Sequence, residues 1–200
     1  MQVETFGPYG SFLGRYGKGR NPPSKNFNIP EGLDYVTVEF LFYEIDQWES
    51  TDEAIVVVGT KQLPMGEFSV QETDANRAKV YESEGIEFSR TAQGPASNIG
   101  FSSRKDQVHN VTLKVPSSYY KSSNSLPIGF IFNLKDELEN ESAGIDQLKI
   151  TGHKYCAPGP VPTPGPVAPG RTERPSNGTT TLPPYQPTAI PSSNPPSTNI

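Results

Sequence analysis

An all-β fold, an antiparallel β-sandwich of jelly-roll type, is what this sequence predicts, and three observations carry the prediction. Apolar and polar residues alternate in short runs, Gly, Pro, Asn and Ser punctuate the gaps between them, and helical periodicity is scarce. Six or seven such runs without the spacing of strand–helix–strand units argue for two packed antiparallel sheets.

The elements follow in chain order. Phe12-Leu13-Gly14 reads as an edge strand inside a stretch rich in Gly, Pro and aromatic residues. From Tyr35 to Tyr43, Val36, Val38, Phe40 and Phe42 share one face, while Thr37, Glu39 and Leu41 take the other. Ala54 to Val58 is short, apolar and β-branched, and Ile86-Glu87-Phe88 is a weaker strand. Val111, Leu113 and Val115 point inward, with Asn110, Thr112 and Lys114 outward. Ile128 to Asn133 is apolar almost throughout and reads as a central strand, and Ile145 to Thr151 closes the domain. Between Met65 and Glu84 two readings stay open: one helical turn over residues 75–80, or a long excursion between strands.

Composition divides the chain near Cys156. Residues 157–200 hold thirteen of the twenty-one prolines and three charged residues, Arg171, Glu173 and Arg174. Such a segment cannot bury enough apolar surface to offset its ordering entropy, so it reads as a disordered or polyproline II linker. Residues 1–156 are enough for one buried core and form the predicted sandwich domain. They carry 15 Lys and Arg against 21 Asp and Glu with no basic stripe, which argues against nucleic-acid binding.

A lone cysteine excludes an intramolecular disulfide framework; Cys156 is a plain thiol or half of an intermolecular bridge. No apolar run approaches ~20 residues, so no membrane-inserted helix is expected. Residues 1–7 lack the apolar core of a signal peptide, and a piece of a longer secreted protein is the expectation. Three sequons fit that setting: Asn110-Val111-Thr112 on a solvent face, Asn140-Glu141-Ser142 before the last strand, and Asn177-Gly178-Thr179 in the linker.

Two acidic strand motifs stand out. Ile45-Asp46-Gln47-Trp48-Glu49-Ser50 ends the first long strand at the only tryptophan, and Glu141-Ser142-Ala143-Gly144-Ile145-Asp146-Gln147-Leu148 enters the last strand. With Leu13-Gly14-Arg15-Tyr16-Gly17 near the start, the order and spacing resemble lectin-like jelly-roll modules of bacterial and protist surface proteins. Those modules carry Leu-Gly-(Arg/Pro)-Phe-Gly, Ile-Asp-Ser-Trp-Asp-Gly and Glu-Ser-(Trp/Phe)-Gly-Ile-Asp-Asn-Val. The resemblance covers about residues 6–152 and implies an extracellular module of a large secreted or wall-anchored protein. Glu49, Ser50, Ala143 and Gln147 depart from the pattern.

The acids themselves suggest calcium, which takes six to eight oxygens from carboxylates and loop carbonyls. Asp46, Glu49 and Asp52 crowd one turn, Glu141 and Asp146 belong to the other motif, and Asp46 and Asp146 are expected to approach if first and last long strands pair. Against this stands a plain reading: capped or solvated acids. Trp48 is read as a sugar-stacking platform or a core plug, with Tyr119 and Tyr120 in a polar loop, and Tyr9 and Tyr16, as further aromatic candidates. His109 reads as packed and His153 as lying just past the final strand. No Ser-His-Asp spacing or nucleophile elbow supports catalysis. The function expected is a non-catalytic extracellular structural or adhesive module with calcium as candidate cofactor; the alternative is a carbohydrate-binding module. Its partner would be an extracellular protein or polysaccharide.

Overall fold

The computed structural model of the protein describes residues 3–6, 10–20, 22–68, 78–98 and 101–155. The Pro-rich segment 157–200, Cys156, Asn177 and Tyr9 lie outside the described residues. Eleven strands are described: β1 (Val3–Phe6), β2 (Gly10–Tyr16), β3 (Ser24–Asn28), β4 (Tyr35–Asp46), β5 (Glu53–Val58), β6 (Lys61–Pro64), β7 (Ala78–Ser83), β8 (Ile86–Ala92), β9 (Gln107–Pro116), β10 (Ser125–Asn133) and β11 (Glu141–His153). They form a seven-stranded sheet, β1-β2-β11-β4-β9-β8-β7, and a four-stranded sheet, β3-β10-β5-β6. Every pairing within the two sheets is antiparallel. The fold is the all-β one the alternation predicts.

The predicted runs lie within longer strands, and β1, β3, β6 and β7 are additions. Residues 78–80 of the ambiguous segment begin β7 rather than a helical turn. The inner face of β4 supplies Val36, Val38, Phe40 and Phe42, and the smaller sheet answers with Val56, Val58, Ile128, Phe130 and Phe132. Phe40 meets Phe130 edge-on across the layers, with centroids 5.1 Å apart. Burial of these large apolar side chains is the main favourable term in assembling the two layers.

A second, smaller core covers part of the outer face of the larger sheet. Phe12, Tyr43, Ile45 and Val108 are buried there, with Phe101 from the loop before β9 packed on them. Phe12 stacks on Tyr43 at 4.9 Å. This is why β4 alternates in burial up to Leu41 and is buried on both faces from Phe42 to Asp46.

Gly144 in β11 is required by that small core, since a Cβ added there would stand 2.6 Å from two carbons of the Phe12 ring and 3.3 Å from Tyr43 Cβ. Gly144→Ala is expected to destabilise the domain by about 1–2 kcal/mol, an overpacking cost reduced because a ring can tilt aside. Denaturant midpoints of the two proteins check it.

Candidate functional site

The fold brings the two acidic motifs together at one end of the sandwich. β4 and β11 are neighbours, and the register sets Asp46 opposite Glu141 and Ile45 opposite Ser142. At Asp46 the backbone leaves the strand with φ 66°, a left-handed conformation that aspartate tolerates better than most residues. The turn is then tied to the other motif. Gln47 N–H donates to Asn140 O at 2.9 Å, and the Trp48 indole Nε1–H donates to Ser142 O at 2.9 Å. The Trp48 ring packs edge-on against Phe42 and Phe68, with centroids 5.5 and 4.9 Å away.

Arg15 completes this clasp. It is the extra residue where Gly14 and Tyr16 of β2 face the consecutive pair Gly144 and Ala143, a bulge that re-aims its side chain. Its Nε–H donates to Ser142 Oγ at 3.0 Å, a second guanidinium nitrogen donates to Leu138 O, and the guanidinium lies 3.7 Å from Asp46 Oδ2. Ser102 Oγ–H donates to the other Asp46 oxygen, and Asp46 N–H donates to Asp106 Oδ1 at 2.7 Å. The fully buried Asp46 carboxylate is thus balanced by a cation and a hydroxyl.

Asp52 and Glu141 form the second part. Both are buried. Glu49 N–H donates to Asp52 Oδ2 at 2.7 Å, closing a tight turn, and Asp136 N–H donates to Glu141 Oε1. The Asp52 carboxyl is the acid that neighbours Glu141. Burial first, and then the Asp52 carboxyl, push the Glu141 carboxyl up to about 7, while the amides of Asp136 and Lys135 pull the other way. Two carboxyls so placed need a proton or a cation between them. Asp52 Oδ1 is buried and has no hydrogen-bond partner among the described residues.

Calcium fits this pair poorly. The groups that face its other oxygens are backbone N–H donors, where calcium needs six to eight oxygens. The remaining residues of the predicted calcium set are held elsewhere: Asp46 on Arg15 and Ser102, and Glu49 with an exposed side chain. Asp146 lies opposite Leu41, five positions from Asp46 along β4 or roughly 16 Å. The expected approach of Asp46 and Asp146 is therefore corrected: Glu141 is the acid that meets Asp46.

Deeper in the same end, Glu44, His109 and Arg90 form a buried ionic group. His109 Nε2–H donates to Glu44 Oε2 at 3.0 Å, and Nδ1 has no partner among the described residues, as in a neutral ring. Burial holds the His109 imidazole below its ordinary value despite Glu44. Burial also lowers Arg90 to about 10, opposed by Glu44. Its guanidinium sits 4.3 Å over the Phe68 ring and donates to Glu67 O at 3.2 Å. Packing explains His109, as the sequence reading has it, and Glu44 and Arg90 were not singled out there.

The aromatic candidates change place. Trp48 is 1% exposed, so it is the core plug and not a sugar platform. Tyr120 is buried, Tyr119 is half-buried with its hydroxyl donating to Glu84 O at 3.2 Å, and Tyr16 packs against Phe132 in the core. Tyr155 is exposed, and beside it Tyr35 and His153, both half-buried, stack on one another at the end of β4 and β11. His153 is the last residue of β11, not a residue beyond it. Its spacing of two from Thr151 and from Tyr155 was the available signal, because i, i+2 residues share a strand face.

Of the sequons, Asn110 is exposed on β9 and Asn140 is exposed in the turn before β11. No helix among the described residues is long and apolar enough to cross a membrane. Comparison with protein families, with curated proteins and with solved structures finds no match to this chain.

Proposed function

We propose that this domain is a non-catalytic structural or adhesive module of jelly-roll type that works outside the cell as part of a larger secreted or surface protein. The observation that carries the reading is the use made of the two motifs. Trp48, Asp46, Glu141 and Ser142 are buried, and hydrogen bonds from the Trp48 indole to the Ser142 carbonyl and from Arg15 to the Ser142 hydroxyl tie the motifs together, so they fasten the fold and leave the outer sheet faces to make contacts. Support for the jelly-roll type comes from the connectivity: the pairs β2–β3, β4–β5 and β10–β11 each pass between the two sheets. The exposed Asn110 and Asn140 suit glycosylation in a secretory setting.

The test of the adhesive role coats beads with the full chain and measures their retention under flow on surfaces carrying extracellular polysaccharide or matrix protein. Retention well above that of albumin-coated beads is expected on at least one surface. Release from all of them would count against the role. Calcium has its own check. Millimolar calcium against chelator is expected to move the thermal midpoint by less than about 2 °C, whereas a bound structural ion would raise it by mass action.

A further inference from the structure

We infer that the open flank between the two sheets, beside β3 and a bulge in β11, is a binding site for a medium-chain alkyl carboxylate. A cleft of about 250 Å³ lies there, walled by Leu13, Pro23, Ile128, Phe130, Ile145 and Leu148. Both layers end at this flank. β3 is an edge strand of the smaller sheet. In the larger sheet β2 and β11 pair only as far as Leu13 and Ile145, and beyond that point the two strands are not joined. β11 then bulges: Gln147, at φ 54°, and Leu148 stand between the partners of Leu41 and Glu39, where β4 has Phe40 alone. Such a bulge re-aims side chains, and Leu148 packs against the main core from the cleft wall.

The walls select the body of the ligand. Apolar side chains from both layers disfavour a strongly hydrated group and suit a hydrocarbon chain. The volume is that of about eight waters at roughly 30 Å³ each, room for a chain of about as many non-hydrogen atoms. Val3, paired with Leu13 and 59% exposed, continues the apolar surface toward the sheet edge.

Lys25 selects the head. It borders the cleft, and its cross-strand partner is the core residue Ile128, so it projects from the inner face of the edge strand. Its Nζ lies 5.2 Å from the Phe27 centroid and forms no salt bridge among the described residues. An inward-facing lysine also keeps an edge strand from pairing with another chain, and that duty leaves its charge available at the mouth. Asp146 borders the cleft as well, but its register partner Leu41 packs on the outer core, so the ammonium is the charge on the inner side. An amphipathic anion matches both parts, with its chain between the sheets and its carboxylate at Lys25. An alkylammonium of the same length would set like charge against Lys25.

The inference goes beyond the structural or adhesive reading and stands or falls without it. The experiment titrates the full chain with sodium octanoate, and with octylamine as the cationic comparison, while methyl resonances are followed by NMR. Octanoate is expected to bind with a Kd of about 0.1–1 mM, the range for so small a ligand, and to shift the methyls of Leu13, Ile128, Ile145 and Leu148. Lys25 is exposed, so Lys25→Glu is expected to keep the unfolding midpoint, weaken octanoate about fivefold and strengthen octylamine. No octanoate binding at 5 mM, or shifts confined to methyls away from the cleft, would overturn the site. Equal binding of octanoate and octylamine, unchanged in Lys25→Glu, would overturn the assignment of a carboxylate. Bead adhesion is read separately, and its failure leaves the octanoate result untouched.

Discussion

Trp48→Ala is expected to destabilise the domain by about 3–5 kcal/mol, the range for deleting a large buried aromatic side chain. A small domain's whole stability is about 5–15 kcal/mol, so this variant should be largely unfolded well below the wild-type midpoint. The loss has two parts. The indole fills the space between Phe42 and Phe68, and its N–H satisfies the Ser142 carbonyl inside the clasp. Trp48→Phe separates them: it keeps most of the packing and leaves the carbonyl without its donor, for an expected loss of about 1–3 kcal/mol. Far-ultraviolet circular dichroism with denaturant gives both values without relying on the tryptophan signal. A Trp48→Ala domain as stable as wild type would mean the ring is not a plug.

Stability should also fall as pH rises through neutrality at one site. The Glu141 carboxyl, at about 7 in the folded domain, sits above its ordinary 4.5. The folded state therefore holds its proton more tightly than the unfolded chain, and stability from this group is full below about 4.5 and lost by about 7. A rise of that size is worth at most about 3 kcal/mol, and solvent screening brings the expected loss to about 2 kcal/mol. His109 acts in the opposite direction. Its folded value is lowered, so its contribution is present above the unfolded imidazole value of about 6.5 and lost as pH falls. The bulk profile is the sum of two opposed slopes, and a variant is needed to isolate either.

Much of the sandwich was legible because burial wrote itself as alternation. Val36 to Phe42, Val111 to Val115 and Ile128 to Phe132 show the inner faces directly. β3 did not show, because Ser24–Asn28 is a polar, mostly exposed edge strand defined by its pairing with β10 and not by a buried face. β7 was hidden for the same reason, with Val80 exposed at the sheet edge. The end of β4 was misleading in another way: Tyr43 and Ile45 break the alternation because Phe101 and Phe12 cover the outer face there, a contact between segments far apart in sequence.

The site was half legible. That the two acidic motifs meet follows from pairing the first long strand with the last. Which acids meet depends on direction. In an antiparallel pair, moving forward along β11 moves back along β4, so the motif's first acid, Glu141, reaches Asp46 while Asp146 is carried away to Leu41. The roles of Arg15 and Asp52 depended on a bulge and a turn, local geometry that residue types leave open.

The claim at the centre of this account is that the motifs form a closed clasp in which the buried Glu141 carboxyl keeps its proton up to about pH 7. The most direct measurement is the unfolding free energy of wild type and Glu141→Gln, by denaturant titration, at intervals from pH 4.5 to 8. Glutamine keeps the shape and cannot ionise, and His109 is present in both proteins, so the difference between the two curves isolates Glu141. Wild type is expected to lose about 2 kcal/mol relative to Glu141→Gln across that range. Parallel curves, or a wild type that gains on the variant as pH rises, would contradict a protonated Glu141.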